Sequence, residues 1–103
     1  MLNQIVLVGR LVSSPEKKEN EGKVYANITL AVPRSFKNEN GEYETDFISV
    51  RLFGSTAENT TEWCNKGDLV GIKGRVQSND GKMEIIAERV TFLSTAKKND
   101  SES

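Results

Sequence analysis

The chain reads as an all-β domain: five short strands rolled into a small barrel, with one short helix between the third and fourth. Three observations predict this. Residues 47–53, Phe-Ile-Ser-Val-Arg-Leu-Phe, alternate strictly, as a strand with one face on a core must. Turn signals at Asn38–Gly41 and Asn79–Lys82 divide the remaining alternating segments into short lengths. A single segment, 56–65, changes to helical spacing between Gly54 and Gly67.

The first strand spans 2–12. Between Ile5 and Val12 it is apolar on both faces, which predicts cover on both sides, either from a central position or from a partner subunit. Residues 13–22 are polar, contain Pro15 and Gly22, and read as a loop. The second strand, 23–34, turns Val24, Ala26, Ile28, Leu30 and Val32 one way and Tyr25, Asn27 and Thr29 the other. Residues 35–43 form a hairpin loop, and the third strand runs to Phe53. Ser55 and Glu58 have the spacing of a capping box for the helix. Ala57, Thr60, Trp63 and Cys64 fall at helical spacing, with Trp63 expected as the core anchor. Val70, Ile72, Gly74 and Val76 mark the fourth strand, with Lys73 and Arg75 outward; after a short loop, 77–82, the fifth strand covers 83–93. Three strands, a helix and two strands in this order fit the OB-fold, a Greek-key barrel that leaves no open sheet edge. The expected organisation is one domain, 1–94, followed by a polar, disordered tail, 95–103.

Composition narrows the function. A chain of 103 residues is one domain, and a net charge of −1 means that any cationic surface must be local. The absence of histidine removes Ser-His-Asp and Cys-His catalysis and histidine metal sites. A single cysteine, Cys64, allows no internal disulfide and no thiolate cluster, and reads as a small buried apolar group. No P-loop or dinucleotide fingerprint occurs, so no enzyme, cofactor or metal is expected. No apolar run has signal-peptide or membrane length, which predicts a cytoplasmic protein without a membrane partner.

The odd face of the third strand then carries the functional reading. Its outward positions should be polar, yet Phe47 and Phe53 flank Ser49 and Arg51. Rings interleaved with a cation on an open sheet suit unstacked bases and a phosphate backbone. The alternative is a strand covered on both faces, with Phe47 and Phe53 in an ordinary core. In an OB-fold, ligands bind around the second and third strands.

The residues Met1–Leu11, Pro15-Glu16, Ala26–Val32, Asp46–Ile48, Leu52–Gly54 through Ala57-Glu58, Lys66–Val70 and Gly74-Arg75 together resemble bacterial and phage single-stranded DNA-binding proteins, in that family's order, over about residues 1–93. The resemblance implies an OB-fold homotetramer that wraps single-stranded DNA without strong sequence preference in replication, recombination or repair. Position by position, Phe36, Phe47 and Phe53 match the family's stacking sites, and Arg34 and Lys37 flank the first. Arg10, Lys73, Arg75 and Lys82 are basic residues in reach of phosphates, and the strand at 2–12 matches the subunit-pairing strand. Three departures stand out. The loop at 77–82 is shorter than the family's arm, and no aromatic lies between Trp63 and Phe92. No acidic tip follows Leu93, so recruitment of other proteins through such a tip is not expected. Glu39, Glu42, Glu44 and Asp46 crowd the hairpin before Phe47, and read as a solvated loop that repels phosphate locally. Stacking does not read the sugar, so RNA remains open beside DNA. The alternative reading is an interaction module similar to primosomal replication protein N, bridging replication proteins and DNA.

Overall fold

The computed structural model describes residues 1–95. Its elements are β1 (Ile5–Leu11), β2 (Lys17–Asn20), β3 (Lys23–Lys37), β4 (Tyr43–Phe53), α1 (Gly54–Trp63), β5 (Leu69–Asn79) and β6 (Lys82–Ser94). The expected tail, 95–103, lies outside the described residues except for Thr95.

The long β3–β4 hairpin organises the molecule. Its register matches Tyr25 with Phe53, Asn27 with Arg51, Thr29 with Ser49 and Ala31 with Phe47. The alternate rows, Ala26 with Leu52, Ile28 with Val50 and Leu30 with Ile48, turn inward. β1 pairs with β5 along Ile5–Arg10 and with β3 at Arg10 and Leu11. A parallel bridge between Arg51 of β4 and Ile86 of β6 closes the other side. β1, β3, β4, β5 and β6 thus form the five-stranded closed barrel of an OB-fold. Its core is Leu11, Ala26, Ile28, Leu30, Val50 and Leu52, with Val70, Ile72 and Ala87 from the far wall. Burying such side chains contributes about 1.5–3 kcal/mol each, the main term favouring the fold.

Four local expectations need correction. Residues 17–20, read as loop, form β2, a charged edge ribbon paired with β3. All four residues are exposed, so no apolar alternation marks them. The turn that makes the ribbon is Glu21-Gly22, with φ of 55° and 79°, the left-handed pair that a two-residue hairpin needs. Second, β3 and β4 extend into the segment expected as loop and leave only 38–42 between them. Asn38 organises that tip, its Oδ1 accepting from the backbone N–H of Asn40 (2.9 Å) and Glu42 (3.0 Å).

Third, α1 begins at Gly54 rather than 56, and no side chain caps it. Gly54 has a φ of 60°, which swings the chain straight from β4 into the helix and places Ser55 inside the first turn. The Ser55–Glu58 box therefore does not form. Fourth, Trp63 is no core anchor: it is 69% exposed. Ala57, Thr60 and Cys64 are buried and define the inward stripe. At about 100° per residue, Trp63 lies roughly 120° round from Ala57, off that stripe. Cys64 is buried in the core as expected, and burial pushes its thiol pKa up. Among the described residues, no helix is long and apolar enough to cross a membrane, and no cluster of acidic or cysteine side chains is placed to hold a metal ion.

Candidate nucleic-acid interface

The outward rows of the β3–β4 hairpin build the site. Phe47 is 67% exposed and Phe53 47% exposed, so these rings are not in a core. They lie on one face of β4, six residues and about 20 Å apart, too far for one base to touch both. Arg51 stands between them, opposite Asn27. An open groove of about 340 Å³ runs beside Arg51, floored by Asn27, Thr29 and Ser49 and walled by Met83 and Glu84 of β6.

Phe36 is 84% exposed on the hairpin arm. It falls where β3 carries two more residues than β4 between the Pro33–Thr45 and Lys37–Tyr43 pairs. That irregularity breaks the strand alternation, so parity could not have assigned the direction of Phe36. Lys37 sits over the Tyr43 ring, with Nζ 5.7 Å from its centre. The arm thus carries two exposed rings, Phe36 and Tyr43, and two cations, Arg34 and Lys37.

The arginines are not free. Arg34 donates from Nε and Nη2 to Asp46, at 2.9–3.2 Å, and its Nη1 forms an ion pair with Glu44 Oε1 at 3.1 Å. The hydrogen bond and charge of Arg34 hold the Asp46 carboxyl below its ordinary pKa. Arg51 donates from Nε to Asn27 Oδ1 at 3.0 Å, and its Nη1 is 3.8 Å from Glu84 Oε2. Arg75 donates to Glu88 Oε2 at 3.2 Å and to Gln77 Oε1 at 3.1 Å. Glu44 and Asp46 are therefore not simply a solvated loop, as expected from sequence, but partners of Arg34.

Arg51, Ile86 and Arg75 are matched across β4, β6 and β5, so two of the predicted cations share one row. Lys82 opens β6 opposite Asn79, across the Asp80-Gly81 turn, at the tip of the β5–β6 hairpin. Lys73 is not beside the aromatic rows. Its register neighbours are Val6 of β1 and Arg89 of β6. Arg10 donates to the Gly67 carbonyl at 3.0 Å; it pairs with Ala31 of β3, which in turn pairs with Phe47, so it stands in the Phe47 row one strand further on.

Sequence reasoning missed four kinds of participant. Tyr25, half-buried, directly opposes Phe53 and extends the aromatic row onto β3; its shared parity with Asn27 and Thr29 was the available signal. Tyr43 was hidden inside an expected loop. Arg89 is exposed opposite Lys73, and neither has an ion-pair partner among the described residues. Glu84 and Glu88 hold arginines from another strand, which no local pattern reveals.

Residues 2–93 match the family model described as the single-strand binding protein family. The chain belongs to that family. It is 42% identical to single-stranded DNA-binding protein B of Bacillus subtilis strain 168, over 90% of this chain and 91% of that protein. It is likewise 42% identical to single-stranded DNA-binding protein 1 of Clostridium acetobutylicum, over 93% of this chain and 97% of that one. The single-stranded DNA binding protein of Thermus aquaticus superposes on 90% of this chain with a TM-score of 0.77 at 26% identity. This chain spans half the length of that Thermus chain. The family and these relatives do not favour the primosomal alternative.

Proposed function

We propose that this single-strand binding family member binds single-stranded DNA without strong sequence preference, as a non-catalytic protein of replication, recombination or repair. One observation carries the reading: β4 exposes Phe47 and Phe53 on either side of Arg51, on the face of an OB-fold where Tyr25 and Asn27 complete the rows. Bases stack on Phe47, Phe53 and Phe36, with Tyr25 beside Phe53, at about 1–3 kcal/mol per base by alanine substitution. Every base has a π-face, so stacking selects no sequence. Arg34, Lys37, Arg51, Lys73, Arg75 and Lys82 are the proposed phosphate contacts.

The outward Val6 and Val8 of β1 are exposed, and an apolar strip of this kind supports a homo-oligomer, a tetramer by the family resemblance. Several subunits on one strand raise its effective concentration and hence the affinity. The reading places the protein in the cytoplasm with the nucleoid.

The test is a fluorescence-anisotropy titration with labelled oligo-dT, oligo-rU and duplex DNA at two salt concentrations. Oligo-dT is expected to bind well above duplex, with a salt slope of about −0.7 for each phosphate contact. Equal binding of duplex and single strand refutes the stacking mechanism, and preference for oligo-rU moves the substrate to RNA.

A further inference from the structure

Three of the predicted DNA contacts, Arg34, Arg51 and Arg75, are arginines that each have a carboxylate within ion-pair distance in this structure. Arg34 is the fullest case. Asp46 meets its Nε and Nη2 and Glu44 its Nη1, so the guanidinium is held along both sides. That is how an arginine receives a phosphate: a planar fork against two or more anionic oxygens. The complex sits immediately before Phe47 in the chain and on the same arm as Phe36, at the place where a stacked strand must bring its backbone. All three side chains are about half exposed, so the pairs are reachable and weak enough to exchange.

We propose that Glu44 and Asp46 stand in for phosphate at Arg34, so that single-stranded DNA engages this arm by displacing carboxylates rather than by meeting a free cation. The inference rests on the DNA-binding reading above and adds a residue-level determinant of affinity and salt dependence. Arg51 with Glu84, and Arg75 with Glu88, are looser versions at 3.8 and 3.2 Å. The exchange has a definite electrostatic signature. A phosphate landing on a free arginine releases a condensed counterion. A phosphate landing on Arg34 also sets two carboxylates free, and these recruit cations from solution. The net release at this arm is therefore smaller than at a free arginine, and salt affects it less.

The experiment compares the wild type with E44Q/D46N, with R34A and with the triple variant R34A/E44Q/D46N, using labelled oligo-dT at low and moderate salt. E58Q/E62Q on α1, whose carboxylates have no ion-pair partner among the described residues, controls for net charge. Thermal melts verify that each variant is folded. E44Q/D46N is expected to bind about threefold or more tighter than wild type at low salt, with a slope steeper by up to about 0.7. The same two amides are expected to give no tightening once Arg34 is alanine. Equal tightening in the Arg34→Ala background, or from E58Q/E62Q, shows repulsion by net charge and overturns the proposal. Unchanged or weaker binding of E44Q/D46N, with wild type binding normally, overturns it alone. Failure of the wild type to bind oligo-dT removes the functional reading and this inference together.

Discussion

Phe47→Ala and Leu52→Ala form a matched pair, because they sit on opposite faces of the same strand. Phe47 is 67% exposed, so only about a third of its surface is covered in the folded chain. A phenylalanine buries roughly 200 Å² when enclosed. A third of that, at about 25 cal/mol per Å², limits the stability loss on truncation to roughly 1.5 kcal/mol. Leu52 is fully buried between β3, β4 and the far wall, and its truncation is expected to cost about 2–5 kcal/mol with the cavity it leaves. Binding should show the reverse order. Loss of one stacking ring costs about 1–3 kcal/mol, roughly 5- to 150-fold in Kd. Anisotropy with oligo-dT, on samples shown to be folded at the assay temperature by circular dichroism, reads the binding; melts read the stability. Phe47→Ala should therefore melt close to wild type and bind poorly, while folded Leu52→Ala binds near normally and melts well below it. If folded Phe47→Ala binds like wild type, the exposed aromatic row is not the stacking surface.

Other consequences follow from particular residues. Val6→Asp or Val8→Asp is expected to reduce the mass measured by light scattering, and a wild type that is monomeric at micromolar concentration contradicts an assembly through β1. Gly74→Ala should destabilise strongly, because a Cβ there would lie 2.0 Å from the Ile86 carbonyl oxygen at the β5–β6 irregularity; an unchanged melting temperature would show that β6 yields easily. The Arg34 pairing lowers the Asp46 pKa, so its contribution to stability is present above the usual aspartate value near 4 and is lost as pH falls through the lower folded value. Asp46→Asn should remove that acid dependence, and acid unfolding curves that coincide for the two proteins contradict it.

Most of the barrel was legible because its signals are local. The inward rows of β3, β4 and β5 alternate with period two, and Asp80-Gly81 writes its own turn. Phe47, Arg51 and Phe53 stood out because a strand's outward face should be polar. What was hidden is what alternation does not encode. β2 has no apolar residue, and its existence depends on the Glu21-Gly22 turn and on the free edge of β3. Trp63 looked like an anchor because spacing alone does not distinguish the middle of a buried stripe from its edge. The partners of the arginines come from Glu84 and Glu88, 33 and 13 residues away along the chain from Arg51 and Arg75. Only the closure of β6 against β4 and β5 brings them together.

The pairing of those arginines bears on how a chain of net charge −1 can take up a polyanion. A face built from unpaired cations gains affinity chiefly from counterion release, and loses it steeply with salt. Here Arg34, Arg51 and Arg75 each have a carboxylate within ion-pair distance in the free protein, while Phe36, Phe47 and Phe53 stand exposed on the β3–β4 hairpin. Base stacking involves no counterion release, so the stacking share of the affinity is one that salt scarcely touches. The carboxylates lower affinity for any polyanion, duplex included, whereas only an unpaired strand recovers the loss through its bases. Acidic residues on this face therefore favour single strands over duplex: they weaken the interaction the two ligands share and leave intact the one that distinguishes them.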